Sequence, residues 1–221
     1  MKRFVVCAIF LLTTVCVTTA QKTIRLNGYG GYLFNDKVGS YASQTNYFDG
    51  QINGGFQWGV GVEYEVVPAY GIELLYLRQD TKAPMDYYLS GDKHTDFDLA
   101  INYILFTGSR YLKPESKVVP YAGALFGAAI FNLKNPDNNT EQGTRTTFAW
   151  GLKGGVLFKT DSRVSIKLQA TLLSALQSVG GGYYFGAGAG VTTYSSIFQF
   201  GFSGGLSVRL WSAKTKDDAV K

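Results

Sequence analysis

Apolar and polar residues alternate strictly across residues 56–66. The even positions hold Phe56, Trp58, Val60, Val62, Tyr64 and Val66, and the odd positions hold Gln57, Gly59, Gly61, Glu63 and Glu65. Successive residues of a β-strand point to opposite sides, so this segment is predicted to be a strand with one apolar face and one polar or small face. The same period of two recurs along the chain, which indicates an all-β protein.

Eight segments share this period and are separated by alternating long and short connections. The segments are residues 22–35, 51–67, 71–82, 95–112, 118–134, 144–159, 163–177 and 195–211. The long connections are polar loops at 36–50, 83–94, 135–143 and 178–194, and the short ones are turns near 68–71, 113–117 and 160–163. An even number of strands with this alternation predicts an eight-stranded antiparallel up-and-down transmembrane β-barrel.

The apolar face of every strand is expected to point outward, toward lipid. The opposite faces carry Gly, Ala, Ser and charged residues, which suit the interior of a narrow barrel. Asp98 and Arg110, which oppose the apolar face of the fourth segment, are therefore expected to point inward. The alternative is a soluble lipocalin-like barrel with its apolar face inside, and the small and charged opposing residues disfavour it.

The two ends of the chain are expected to lie outside the barrel. Lys2 and Arg3, the apolar residues 4–17 and the small residues before Gln21 predict a cleaved signal peptide at 1–20, followed by the barrel at 21–211. Residues 212–221 are a short charged tail, expected in the periplasm. Both cysteines, Cys7 and Cys16, lie in the leader, so the mature chain is expected to have no disulfide and no thiolate metal site.

Composition supports a membrane barrel. The 221 residues include 27 glycines and 15% aromatic residues but only 17% charged residues, against roughly 25% charged residues in an average soluble domain. No internal run of about 20 apolar residues could form a membrane-spanning helix. The formal net charge of +5 includes two charges of the leader, and no polybasic run indicates a nucleic-acid partner.

The leader, the eight alternating segments and the final strand at 198–211 together resemble the small outer-membrane barrels of the OmpA transmembrane domain, OmpX and opacity-protein type, which are porin-family proteins of Gram-negative bacteria. The resemblance implies an integral protein of the cell outer membrane, in contact with lipid and lipopolysaccharide. It also implies that the insertion machinery recognises the last strand. The chain departs from the family in the ten residues that follow Trp211.

Several charged residues are predicted to meet inside the barrel. This set comprises Arg25, Glu63, Glu65, Glu73, Lys153, Lys167 and Arg209. Unpaired charges in so narrow an interior would be costly, so the opposite signs are expected to pair. A plug that braces the barrel is the main interpretation, and a narrow gated ion path is the alternative.

The loops hold the remaining candidates. His94, the one histidine, lies near Ser90 and Asp96, and lipid-modifying barrel enzymes of the PagL and PagP kind use His with Ser; a solvated loop histidine is the simpler interpretation. Aromatic loop residues are candidate contacts for a partner or for lipid headgroups. They are Tyr183, Tyr184 and Phe185, with Tyr41, Tyr47, Phe48, Tyr87 and Tyr88.

The sequence therefore predicts a non-enzymatic outer-membrane barrel. Its expected role is structural, or the binding of an extracellular or envelope protein through the loops, without a cofactor or a metal. The alternatives are a narrow porin-like channel and, less favoured, a lipid-modifying enzyme. The fold class by itself does not decide among these functions.

Overall fold

A computed structural model describes residues 23–43, 46–88, 92–136, 140–175 and 197–212. The predicted leader, all of the fourth long loop and all but the first residue of the charged tail lie outside these residues. No helix in the described part is long and apolar enough to cross a membrane.

The described chain consists of ten strands. They are β1 (Thr23–Leu33), β2 (Asp36–Ser43), β3 (Asn46–Ile52), β4 (Gly55–Val67), β5 (Tyr70–Tyr88), β6 (Asp92–Tyr111), β7 (Val118–Asn135), β8 (Thr140–Lys159), β9 (Val164–Ala175) and β10 (Ile197–Ser212).

Eight of these strands close into an antiparallel ring. The order around the ring is β5–β4–β1–β10–β9–β8–β7–β6, and β6 pairs again with β5. The predicted eight-stranded up-and-down barrel is thus confirmed. Strands β2 and β3 are additional, because the first predicted loop contains a hairpin that joins the outer end of β5 through the pairing of Gly50 with Met85.

The strands of the ring are staggered. Following paired residues from Gln79 once around the ring leads through Tyr111 of β6 back to Ala69, next to the start of β5. A stagger of about ten residues over eight strands corresponds to a strand tilt of about 40° and an interior that side chains can fill. Closure also pairs the backbone groups that lipid cannot hydrogen-bond.

The outward apolar face is confirmed for six of the eight ring strands. In β4 the predicted outer residues are exposed and the alternate residues are buried, with Glu63 only 1% exposed. The same division holds in β1, β5, β8, β9 and β10, where the exposed set includes Tyr32, Leu74, Leu152, Leu168 and Phe202. A belt of large apolar side chains therefore surrounds the barrel, as a lipid-embedded surface requires.

The face predicted for β6 and β7 was wrong. Residues expected on the lipid side are buried inside the barrel; they are Phe97, Leu99, Ile101, Tyr103 and Leu105 in β6 and Val119, Tyr121, Leu125, Phe131 and Leu133 in β7. Asp98, expected inside, points outward and is exposed, as is Arg110, which lies over the ring of Tyr70. Ile104, Phe106 and Phe126 form the lipid-facing part of these two strands.

Strand length explains the reversal in the outer halves of β6 and β7, at Phe97, Leu99, Ile101, Phe131 and Leu133. β5 and β6 contain 19 and 20 residues, whereas about 9–11 residues suffice to cross a bilayer. Their outer ends therefore extend into water, where the soluble pattern of apolar residues inside and polar residues outside applies. We call this extension the outer sheet: β2, β3 and residues 78–88, 92–102, 130–135 and 140–146 of β5 to β8. The alternation of apolar and polar residues predicts that a strand has two different faces, but it does not predict which face meets lipid.

Candidate functional site

The half of the barrel interior nearest the short turns is filled by polar side chains, which we call the lumen cluster. Its members are Arg25, Asn27, Tyr29, Glu63, Glu65, Glu73, Thr107, Tyr111, Lys153 and Lys167. They come from six strands, and each reaches the interior because it occupies an inward position of its strand.

Glu63 of β4 is one centre of the lumen cluster. Lys167 of β9, across the lumen, donates a hydrogen bond from Nζ to Oε2 of Glu63 at 2.6 Å. Asn27 Nδ2 donates to the same oxygen at 2.9 Å, and the hydroxyl of Tyr111 donates to Oε1. The Arg25 guanidinium lies 3.6 Å from Oε1. The buried carboxylate thus has a cation and hydrogen-bond donors on both oxygens, as its burial demands.

Glu73 of β5 is the second centre. Lys153 of β8 donates from Nζ to Oε2 at 2.9 Å and also to the hydroxyl oxygen of Thr107 at 2.9 Å. The Tyr29 hydroxyl and Asn27 Nδ2 donate to Oε1 at 2.8 and 2.7 Å. Asn27 therefore bridges the two carboxylates and joins both ion pairs into one network.

Two glycines make room for the carboxylates. A Cβ atom at Gly61 would collide with the carboxylate of Glu73, and one at Gly71 would collide with the carboxylate of Glu63. Both glycines lie on inward positions, so their missing side chains leave the space that the glutamates occupy. The alternation of Gly and Glu that first indicated a strand therefore also accommodates the network.

The charges of the lumen cluster balance. Glu63 pairs with Lys167, Glu73 with Lys153, and Glu65 with Arg25. The ammonium group of Lys167 also lies about 6 Å from the ring centres of Tyr29, Tyr111 and Tyr121, a distance at which aromatic faces attract cations. The arrangement braces strands on opposite sides of the lumen.

Two of the predicted charged residues, Glu65 and Arg209, lie at the mouth of the barrel and not deep in its interior. Glu65 accepts a hydrogen bond from Arg25 at the mouth on the short-turn side. Arg209 is exposed there and lines an opening of about 350 Å³ with Arg25, Glu65 and Lys159. The structure therefore joins six of the seven predicted residues through one buried and half-buried chain of contacts, and it leaves Arg209 at the entrance.

Sequence reasoning missed the uncharged members of the lumen cluster. Asn27 donates to both buried carboxylates, and Tyr29, Thr107 and Tyr111 each donate to one of them. The available signal was position parity, since Asn27 and Tyr29 share the inward face of β1 with Arg25. In β6 the same signal fails, because the sequence predicts that the face with Thr107 and Tyr111 points outward, whereas both residues point inward.

The half of the interior nearest the long loops is apolar. Buried side chains of β5 to β9 pack there, including Leu75, Tyr103, Leu125, Phe131 and Leu173. Three polar side chains in this half are connected across the barrel, because the Tyr103 hydroxyl donates to Gln199 at 2.7 Å and Gln199 donates to Gln79 at 2.8 Å. Within the described residues, the interior is thus filled by a charged layer and an apolar layer.

His94 lies on the water-facing side of the outer sheet. Its Nδ1 is 2.7 Å from Asp86 and its Nε2 is 3.3 Å from Asp96. The hydrogen bond to Asp86 raises the pKa of His94 above its ordinary value, and the carboxylate of Asp96 adds to the effect. Ser90 lies outside the described residues. Both ring nitrogens face carboxylates, which favours the solvated loop histidine over a catalytic base.

The aromatic loop candidates stay predictions. Tyr183, Tyr184 and Phe185 lie outside the described residues, and so do the side chains of Tyr41, Tyr47, Phe48, Tyr87 and Tyr88. Across the described part of the chain, no group of three His, Cys, Asp or Glu side chains is placed to hold a metal ion.

Comparison with known proteins identifies the fold. No family model matches the sequence, and no curated protein matches it. Among solved structures, Neisserial surface protein A is 15% identical with a TM-score of 0.54, over 85% of this chain and 97% of that chain. The outer membrane protein OprG from Pseudomonas aeruginosa is 12% identical with a TM-score of 0.55, over 86% and 96%.

These similarities, at low identity, concern the fold. The chain has the fold of the small integral outer-membrane β-barrels, and its exposed apolar belt is the surface that such a barrel presents to lipid. The resemblance inferred from the sequence is confirmed at the level of the fold.

Removal of the Lys153 ammonium tests the lumen cluster. In Lys153→Met, Glu73 keeps its burial but loses its cation, so we expect the free energy of unfolding to fall by about 3–5 kcal/mol. Lys117→Met is the matched control, because its ion pair with Asp161 is highly exposed and such pairs contribute about 0–1 kcal/mol. Urea unfolding of the barrel in lipid vesicles measures both. Equal losses would contradict the proposed bracing role.

The pKa of His94 tests the geometry of the outer sheet. Since the folded-state pKa is raised, the contact with Asp86 stabilises the hairpin at pH values below the ordinary histidine pKa, and this contribution is lost as the pH rises through the folded-state pKa. Asp86→Asn should lower the pKa of His94, whereas Asp161→Asn on a distant turn should leave it unchanged. NMR titration of the single imidazole measures this. A pKa that is unaffected by Asp86→Asn would show that the contact is absent.

Proposed function

We propose that this protein is a non-enzymatic outer-membrane anchor that presents the outer sheet and its loops to an extracellular or envelope protein partner. The outer sheet carries the proposal. β5 and β6 are each about twice as long as a bilayer crossing needs. The β2–β3 hairpin is added on the same side of the barrel. The chain thus forms more ordered structure beyond the apolar belt than anchoring requires.

The outer sheet has the properties of a stable, water-facing surface. Its inner face contributes Ile52, Met85, Phe97 and Leu133 to the apolar layer. Its outer face exposes charged groups held in place by ion pairs, including Arg78 with Asp80 at 2.8 Å and His94 with Asp86. Ordered polar groups on a rigid sheet suit recognition of a protein surface, where complementary charges determine specificity.

The filled interior bears on the channel alternative. A porin-like path needs a continuous aqueous lumen, whereas the described side chains form a balanced charged layer beneath an apolar layer. We therefore expect no steady conductance in planar bilayers. A current whose ion selectivity changes in Glu63→Gln or Lys153→Gln would favour the channel. A change in lipid A on overexpression would favour a lipid-modifying enzyme.

Photo-crosslinking in intact cells tests the binding role. Benzoylphenylalanine at Asp96, on the exposed face of the outer sheet, should give adducts with protein. The same probe at Phe106, which lies on the lipid side of the same strand, should give none. Both variants should keep the heat-dependent gel mobility of a closed barrel. Equal adducts at the two positions, or none at Asp96, would contradict the proposal.

A pair of deletions then separates sheet from loop. Replacement of residues 83–97 by an Asn-Gly turn shortens the β5–β6 hairpin beyond the pair formed by Lys82 and Asp98. Deletion of 180–190 removes the aromatic segment of the fourth loop. A second crosslinking probe at Asp80 is used in both variants. If only the shortened hairpin loses its protein adducts, binding is assigned to the outer sheet. If only the loop deletion loses them, binding is assigned to the loop.

A further inference from the structure

The barrel opens on the short-turn side into a cavity of about 350 Å³, which we call the turn-side mouth. This opening lies at the end of the barrel opposite the outer sheet, directly above the lumen cluster. Its charged lining consists of three cations and two carboxylates, which are Arg25, Lys159, Arg209, Glu65 and Glu115. The mouth therefore has more positive than negative charge.

Two of these cations lack a carboxylate partner in the described part of the chain. Arg25 pairs with Glu65, whereas neither Arg209 nor Lys159 forms an ion pair with a described residue. The ammonium group of Lys159 donates instead to a backbone carbonyl of the neighbouring turn, and Glu115 acts on it only from a longer distance. Two positive groups at one opening are thus available to an anion.

The position of Arg209 is unfavourable unless an anion is near. Arg209 is the cross-strand partner of Arg25, and like charges directly opposite each other destabilise a sheet. Its backbone N–H donates to the carbonyl oxygen of Arg163 at 2.8 Å, so a third arginine adjoins the same rim. The nearby carboxylate of Asp161 is paired with Lys117. An added carboxylate beside Arg209 would offset this repulsion.

The charged tail starts at this opening. Ser212, the last residue of β10, pairs with Thr23, and Thr23 lines the turn-side mouth. Asp217 and Asp218 follow within six residues of Ser212, and six extended residues span about 20 Å. Eight strands about 4.8 Å apart and tilted by about 40° enclose a barrel about 16 Å across. Both aspartates can therefore reach every group that lines the mouth.

We propose that the charged tail folds back over the turn-side mouth, where the carboxylates of Asp217 and Asp218 bind Arg209 and Lys159. Adjacent residues of an extended segment point to opposite sides, so the two carboxylates can contact cations on two different strands, β10 and β8. The bound tail covers the opening to the lumen cluster. This contact does not depend on the proposed protein partner, which binds at the opposite end of the barrel.

The tail matches the groups that the mouth leaves unpaired. Its two adjacent carboxylates suit Arg209 and Lys159, and its Lys214 and Lys216 have a counterpart in Glu115, which forms no ion pair with a described residue. Because the tail is covalently attached, its effective concentration at the mouth is on the order of millimolar. A free acidic ligand must exceed that concentration to displace it, which favours the tail as the occupant.

The rate at which trypsin cleaves after Lys214, measured by mass spectrometry on the full chain in lipid nanodiscs, tests the proposal. Cleavage follows the population of the released tail when release is fast. Asp217→Asn/Asp218→Asn should accelerate cleavage by about tenfold, the effect of losing two partly exposed ion pairs. A synthetic peptide of residues 211–221 with the same two changes is the control, and its cleavage rate should change less than twofold.

Changes in the mouth should have the same effect as changes in the tail. Arg209→Gln/Lys159→Gln should also accelerate cleavage by about tenfold, and its combination with the tail variant should add little, because both remove one contact. Arg110→Gln/Lys113→Gln removes the same charge at the same end of the barrel but outside the mouth, and it should change the rate less than twofold.

Four results would overturn the proposal. They are an unchanged rate in the tail variant, equal acceleration by the control pair outside the mouth, additive effects of the tail and mouth variants, and release of the tail by a free Asp-Asp peptide at about 0.1 mM, well below the effective concentration of an attached segment. The last result would assign the mouth to an external acidic ligand. Heat-dependent gel mobility confirms that each barrel is closed. The tail variant changes no residue of the barrel, so it tests the proposal even if the mouth variant fails to fold.

Discussion

The structure depends on a change of solvent along the outside of single strands. Below the outer sheet the barrel wall meets lipid, so large apolar residues such as Leu74 and Phe106 point outward. The inward positions there hold the lumen cluster together with buried apolar side chains such as Leu125. Beyond that level the same strands meet water, and Leu99 points inward while Asp98 points outward. A single pleated strand can contact lipid at one level and water at another, because consecutive side chains point to opposite sides. The two faces keep their direction, and only the chemistry on them changes.

The interior follows the same division. At the level of the lipid belt, the outer face takes the large apolar side chains, and the inner face holds the balanced pairs of Glu63 with Lys167 and Glu73 with Lys153. Toward the outer sheet, apolar side chains such as Ile101 and Phe131 fill the interior instead. The charged layer braces the closed ring, and the apolar layer gives the outer sheet a core. The proposed roles of anchoring and presentation thus fall on successive lengths of the same strands.

Most of the fold could be predicted from the sequence. Strands with a period of two, connections of alternating length and an even number of strands are together compatible with few closed barrel topologies. The sequence also identified the charged members of the lumen cluster, since Glu63 and Lys153 oppose unmistakably apolar faces. It failed for β6 and β7, where both faces carry apolar residues and the direction depends on how far the strand extends beyond lipid. The crossing pairs, such as Tyr103 with Gln199, depend on the stagger of the ring, which no local pattern encodes.

The most direct test is the labelling, within intact cells, of single cysteines introduced into a chain that carries Cys7→Ser and Cys16→Ser. Ala100→Cys and Phe106→Cys place thiols on the outward face of one strand, and Leu99→Cys places one on the inward face. We expect a water-soluble maleimide to label position 100 and to leave positions 99 and 106 unmodified. Labelling at 99 in preference to 100, or equal protection of 100 and 106, would contradict the change from lipid to water along β6.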